Sequence, residues 1–210
     1  MTSVSIQATV TSSTFAKPTQ QMDLKMNQFD DLMIDIETMG TAADSALVQI
    51  GAVFFNIPRR ALGPTFLQTI HLATAVRDGG KIDPGTVLWW LGQGDAARKG
   101  IRFGGRDIRV VLQEFSDWIK ETCRHEDVRV WGNSPTMDCT IPRTAYERAG
   151  MEVPWYWSHE RDFRTVRNMN PKVEYNTDDK GDDAHNALVD AVFQAKHLFK
   201  IADYRSGKRA

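Results

Sequence analysis

Apolar and polar positions divide the chain into a β-patterned opening, a helical middle and a mixed final third. Between Phe29 and Leu72, three runs (FDDLMIDIE, ALVQIGAVFFN and PTFLQTIHL) are rich in β-branched and aromatic residues and are separated by turn-prone positions such as Gly40 and Pro58. Runs of this kind predict three consecutive short strands. Asp83-Pro84-Gly85 then offers a helix start ahead of TVLWWLGQ. DAARKG and RDIRVVLQEFSDWIKETC follow, the latter with apolar residues at helical spacing. VRVWGN reads as a strand, SPTMDCTIPRTAYERAG as a helix closed by Gly150, and AHNALVDAVFQAKHLFKIADY as a long amphipathic helix. The order βββαβα(β)α predicts an α/β fold: a mixed sheet opening on a three-strand meander, with helices on its faces.

A chain of 210 residues suffices for one domain with a sizeable core. Residues 28–203 are expected to form it. Residues 1–27 read as a flexible extension, with nine Ser or Thr among the first twenty and only Lys17, Asp23 and Lys25 charged. Residues 204–210 read as a short basic tail. Against 26 Lys and Arg stand 27 Asp and Glu, so the chain is no polycation, and affinity for nucleic acid has to come from a local patch or from bound metal. Cys123 and Cys139 match no CxxC spacing and read as reduced thiols. No apolar run approaches the roughly 20 residues that span a bilayer, and the start lacks a signal-peptide pattern. The expectation is a cytoplasmic protein without membrane contact.

Three places concentrate chemistry. In Leu32-Met33-Ile34-Asp35-Ile36-Glu37, residues two apart share a strand face, so Asp35 and Glu37 aim together while Leu32, Ile34 and Ile36 point oppositely. Two carboxylates in an apolar strand repel each other and lose hydration unless a cation or proton compensates. An arbitrary Asp-x-Glu is more often simply solvated, so this pair does not stand alone. Asp138 lies in the first turns of the helix after Gly132-Asn133-Ser134, where an acid also serves as routine dipole compensation. His185 and Asp190 are five apart, and on one continuous helix they would diverge by about 140°. A shared site therefore places His185 at the helix start and Asp190 inside, with Asp182 or Asp183 as the expected N-cap. The acidic run Asp178, Asp179, Asp182 and Asp183 reads as a solvated loop.

Taken in order, Asp35-x-Glu37, Asp138 after Gly-Asn-Ser-Pro and His185-x4-Asp190 resemble the three motifs of the DEDDh 3′→5′ exonucleases, a group with the ribonuclease H-like fold. The segments IDIET, TVLWWLGQGDAAR, WGNSPTMDC, RDFRT and HNALVDA look like the branch holding the mycobacterial-type 3′→5′ exoribonuclease and phage exonucleases similar to exonuclease A. The resemblance spans about residues 29 to 202. It implies two divalent ions, Mg²⁺ or Mn²⁺, which suit hard carboxylate oxygens. It assigns Asp35, Glu37 and Asp190 to the first ion, Asp35 as a bridge to the second, Asp138 as support for the second through water, and His185 as general base. It implies release of nucleoside 5′-monophosphates from a free 3′ end of single-stranded nucleic acid, and it makes a homodimer a minor expectation.

For substrate contacts, Thr38, Met39 and Gly40 are expected to hold the terminal nucleotide, and Asn133 and Ser134 to meet phosphate or water at the helix start. Trp90 is chosen as the stacking residue. Trp89 and Trp90 diverge by about 100° on a helix, so at most one of the two is expected to face the site. Arg161, Arg164 and Arg167, or the set from Arg98 to Arg109, would neutralise phosphates unless they are solvated helix faces. The motifs do not separate a DNase from an exoribonuclease. The phage-like resemblance tips the expectation slightly towards DNA, and a non-catalytic nucleic-acid- or protein-binding relative is the alternative from another class.

Overall fold

The computed structural model describes residues 29–177 and 185–207. The Ser- and Thr-rich extension, the acidic run from Asp178 to Asp183 and the last three residues lie outside this range. One five-stranded sheet runs in the order β3-β2-β1-β4-β5, built from β1 (Asp31–Thr38), β2 (Leu47–Asn56), β3 (Ala61–Thr69), β4 (Arg129–Gly132) and β5 (Glu160–Asp162). β1 to β3 form an antiparallel meander, whereas β4 and β5 join β1 in parallel. The helices are α1 (Leu72–Arg77), α2 (Pro84–Leu91), α3 (Asp95–Arg102), α4 (Ile108–Thr122), α5 (Pro135–Asp138), α6 (Thr140–Ala149), α7 (Phe163–Asn168) and α8 (Ala187–Arg205). This is a mixed α/β architecture with helices flanking the sheet.

The two faces of β1 do different work because side chains alternate across a strand. Leu32, Ile34 and Ile36 lie in register with Phe54, Ala52 and Ile50 of β2, and these six join the larger core, which includes Phe115 and Ile119 of α4 and Tyr146 of α6. Met33 pairs with Val53 on the opposite face and packs with Ala191, Ala195, Leu198 and Ile201 of α8. Asp35 and Glu37 belong to this second face, in register with Gly51 and Gln49. The acids thus occupy the end of the face that α8 covers.

Gly51 determines how closely α8 can lie. A Cβ built there would fall 2.1 Å from the backbone carbon of Ala187 and from the backbone nitrogen of Leu188. No side chain fits, so the first turn of α8 rests directly on β2. Gln49 completes the seat: its Oε1 accepts from the Ala187 N–H at 3.0 Å, and its amide nitrogen donates to the Gly100 carbonyl at 3.0 Å.

Two expectations change in detail. The segment from Ser134 to Gly150 is two helices, broken at Cys139. Pro142 supplies the reason, because it has no N–H for the Asp138 carbonyl four residues back and its ring crowds that carbonyl. The N-cap of α8 is Asn186, whose side chain accepts from Leu188 N at 3.1 Å and Val189 N at 3.3 Å, while Asp182 and Asp183, expected as caps, lie outside the described residues. At the far end α8 continues to Arg205, so Tyr204 and Arg205 are helical rather than tail.

Candidate active site

Each catalytic candidate reaches one end of the sheet by a separate route. Asp35 and Glu37 come from β1. Asp138 closes α5, and Gly132 at the end of β4 makes room for it: a Cβ on Gly132 would sit 2.6 Å from the Asp138 Cβ. Asp190 stands in the first turn of α8. His185 precedes the cap residue Asn186 and adopts a left-handed φ of 66°, uncommon for a residue with a side chain. Placing His185 before the cap removes the helical divergence that would otherwise separate it from Asp190.

Glu37, His185 and Asp190 offer ligand atoms that all lie within 4.8 Å of one another. Glu37 is 8 % exposed, Asp138 7 % and Asp190 8 %, so three carboxylates are more than nine-tenths buried around the partly buried Asp35. Burial pushes Asp35 well above the usual carboxylate range, and the neighbouring charges of Asp138, Glu37 and Asp190 push it further, opposed by a hydrogen bond from Gln194. That bond, Gln194 Nε2 to Asp35 Oδ1, measures 2.7 Å. Burial likewise raises Asp138 to about 7, against the backbone N–H groups of Ser134 and Asn133 and the charge of Arg164, which favour the anion. The Ser134 N–H donates to Asp138 Oδ2 at 2.9 Å.

Four acids held together this way are compensated at neutral pH by protons or by cations. Their oxygens are the hard donors that a small divalent ion prefers, with one imidazole in reach of Glu37 and Asp190. The donor set therefore fits a divalent metal centre.

The remaining candidates are placed unevenly. Thr38 and Gly40 line a cavity of about 430 Å³ together with Glu37, Asp83, Thr86, Trp89, Trp90 and Met137. Met39 does not; it is buried in the larger core and lines a separate apolar cavity with Ile70, Leu72 and Ile101. Strand alternation alone would set Met39 on the face of Glu37; the register shift between Glu37 and Thr38 breaks the alternation there, and Met39 joins Ile34 and Ile36 in the larger core. Asn133 and Ser134 are engaged with Asp138 and with their own turn: Ser134 Oγ lies 2.8 Å from Thr136 Oγ1. The buried Asn133 Oδ1 has no hydrogen-bond partner among the described residues.

Both tryptophans border the cavity, where only one was expected, because the cavity runs along the broad face of α2 that carries Gly85, Thr86, Trp89 and Trp90. Trp90 is 4 % exposed and donates from Nε1 to the Thr38 carbonyl at 3.0 Å, which commits it to holding the end of β1. Trp89 is the accessible ring of the pair. Gln49, Gly51, Gly132 and Gln194 have no place among the sequence candidates. A polar residue inside the apolar run ALVQIGAVFFN, and a Gln four residues after Asp190 on the same helix face, are the signals that point to two of them.

The 3′-5′ exoribonuclease Rv2179c-like domain matches residues 30–202, most of the chain and all of the elements that build the site. The chain belongs to the Rv2179c-like 3′-5′ exoribonuclease family. An exodeoxyribonuclease of Enterobacteria phage T4 is 26% identical over 98 residues, 42% of this chain and 43% of the phage protein. Escherichia coli exonuclease I shares the fold: in a zinc-bound complex with single-stranded DNA it aligns at TM-score 0.60 and 16% identity, covering 85% of this chain and 41% of that one. Its complex with a dT13 oligonucleotide aligns at TM-score 0.61 and 17% identity over 85% of this chain and 42% of the other. The Rv2179c-like chain thus spans under half the length of these relatives. Among its described residues, no helix is long and apolar enough to cross a membrane.

Proposed function

We propose that this Rv2179c-like chain is a metal-dependent exonuclease that removes nucleotides one at a time from the 3′ end of single-stranded nucleic acid and releases nucleoside 5′-monophosphates. The observation that carries the reading is the convergence of Glu37, His185 and Asp190 within 4.8 Å, beside the electrostatically linked Asp35 and Asp138, in a chain of a 3′-5′ exoribonuclease family. Asp35, Glu37 and Asp190, with Asp138 acting through water, are the residues that would hold two Mg²⁺ or Mn²⁺ ions. Such ions, when bound, supply Lewis-acid stabilisation of the attacking and leaving oxygens in an in-line displacement at phosphorus.

The protein's own groups do the rest. The cavity bordered by Thr38, Gly40 and Trp89 lies beside Glu37 and has the volume of a small-ligand site, which suits it to the terminal nucleoside. His185 accepts a proton from the attacking water at a ring nitrogen, a role suited to a side chain whose ordinary pKa is near neutral. The water oxygen bonds to phosphorus, the bond from phosphorus to the 3′ oxygen of the preceding nucleotide breaks, and that oxygen takes a proton from solvent to become the new 3′-hydroxyl. Gln194 keeps the Asp35 carboxylate aimed while this happens.

RNA and DNA substrates use the same catalytic set and differ at the 2′-hydroxyl. The family description favours RNA across most of the chain, and the phage relative favours DNA over 98 residues. The test is degradation of 5′-labelled single-stranded DNA and RNA of matched sequence with Mg²⁺, Mn²⁺ or EDTA, using wild type beside Asp35→Ala. A ladder shortening from the 3′ end, dependent on metal and absent in the variant, supports the reading, and the faster substrate ranks DNA against RNA. Intact substrates under every metal, with folded protein, overturn it.

A further inference from the structure

We infer that Trp89 is a positioning residue that holds the His185 imidazole against the acidic centre, an inference that rests on the proposed role of His185. His185 sits outside any regular element, on a left-handed φ of 66°, one residue before the cap of α8. Among the described residues its ring makes no hydrogen bond to a carboxylate or carbonyl, the usual way a working histidine is oriented. Its ring contacts are aromatic. The Trp89 ring centroid lies 5.1 Å away with the two planes at 86°, and the Trp90 centroid lies 6.3 Å away at 75°.

The edge-to-face geometry is the favourable one for aromatic pairs, because a ring's positive edge meets the other's negative face. Trp90 cannot adjust, since it is buried and tied to the Thr38 carbonyl. Trp89 stays 46 % exposed, unusual for so large an apolar ring, and packs edge-on against Trp90 at 5.0 Å and 76°. Trp90 therefore anchors Trp89, and Trp89 anchors His185. Because Trp89 also borders the cavity beside Glu37, a nucleoside seated there touches the same ring that sets the imidazole. Ring contact orients the imidazole where no described residue hydrogen-bonds it, and it links occupation of the cavity to the orientation of the proposed base.

The experiment compares Trp89→Phe and Trp89→Leu with wild type in the full chain by two readouts. Without substrate, the carbon-bound ring protons of His185, assigned by their loss in His185→Ala, are shifted by the indole in NMR spectra at fixed pH. They should move towards ordinary histidine positions in Trp89→Leu and only partly in Trp89→Phe, with the melting temperature nearly unchanged. In steady-state degradation of a single-stranded oligonucleotide, kcat should fall roughly three- to tenfold in Trp89→Leu, the scale of one aromatic pair, and recover in Trp89→Phe. His185 signals that do not move in Trp89→Leu overturn the inference whether or not the protein degrades nucleic acid. A rise in KM with kcat intact also overturns it, leaving Trp89 a substrate contact only. Shifted His185 signals in a wild type that degrades nothing would uphold the contact and sink the nuclease reading instead.

Discussion

At the scale of single residues, the acidic centre trades stability for ligand capacity, and its pH dependence follows from that. Asp138 titrates at about 7 in the folded chain against an ordinary 3.8, so the folded state keeps a proton that the unfolded chain has released. Its contribution is favourable below the ordinary value and is lost as pH rises from about 4 to about 7. Asp138→Asn keeps the shape without the titration. In EDTA the melting temperature of this variant should therefore gain on wild type as pH rises through that window, as differential scanning calorimetry would show; a constant difference across the window would refute the raised value. Gln194 acts on the neighbouring acid. Its amide donates to Asp35 at 2.7 Å, and partners of this kind behind a metal-binding carboxylate are worth about 10- to 100-fold in affinity or activity. Gln194→Leu should lower kcat or Mn²⁺ affinity by that order with the fold retained, and wild-type values of both kcat and calorimetric Mn²⁺ affinity would remove Gln194 from the site.

At the scale of elements, the site depends on how α8 meets β2. The alternation of β1 and the helical spacing of the last segment are visible in the sequence, and both elements form where those patterns fall. The docking between them was not legible, because a glycine in a strand signals either a bulge or a close approach and the pattern does not say to what. Gly51 turns out to face the Ala187 backbone. The helix start is ambiguous in the sequence for a related reason: several polar residues before α8 qualify as caps, and only the packing of Ala187 on Gln49 selects Asn186. Gly51→Ala places a methyl where the α8 backbone lies. The expected loss is at least the 1–3 kcal/mol usual for overpacking, about 2–12 °C in melting temperature at this size. Activity should fall further than stability, since His185 and Asp190 ride on the displaced turn. A Gly51→Ala protein with wild-type melting and rate would show that α8 is not seated as described.

At the scale of the whole molecule, the order of elements is readable from local pattern and the set of acids from the resemblance of its three motifs taken in order, whereas the cavity is not readable, because it exists only between α2 and the end of β1. Trp89 and Trp90 illustrate the limit: adjacent positions on one short helix carry the same sequence signal, and the fold makes Trp90 a support and Trp89 an exposed wall. The near-neutral net charge has a consequence at this scale too. With no excess of basic residues to recruit a polyanion, the cluster of buried carboxylates itself repels phosphate until cations neutralise it, so metal should precede productive substrate binding and should stabilise the free protein. A ligand that binds only the folded chain adds about 2.7 kcal/mol at a hundredfold excess over its Kd, or about 5–11 °C for a chain of this length. Because burial pushes Asp35 and Asp138 towards their protonated forms, that gain should be larger at pH 8 than at pH 6. Thermal melts in Mn²⁺ at the two pH values, repeated with Asp190→Asn, test the argument. The gain should shrink at pH 6 and shrink again in the variant, and a rise in melting temperature that ignores both would place the ion elsewhere on the surface.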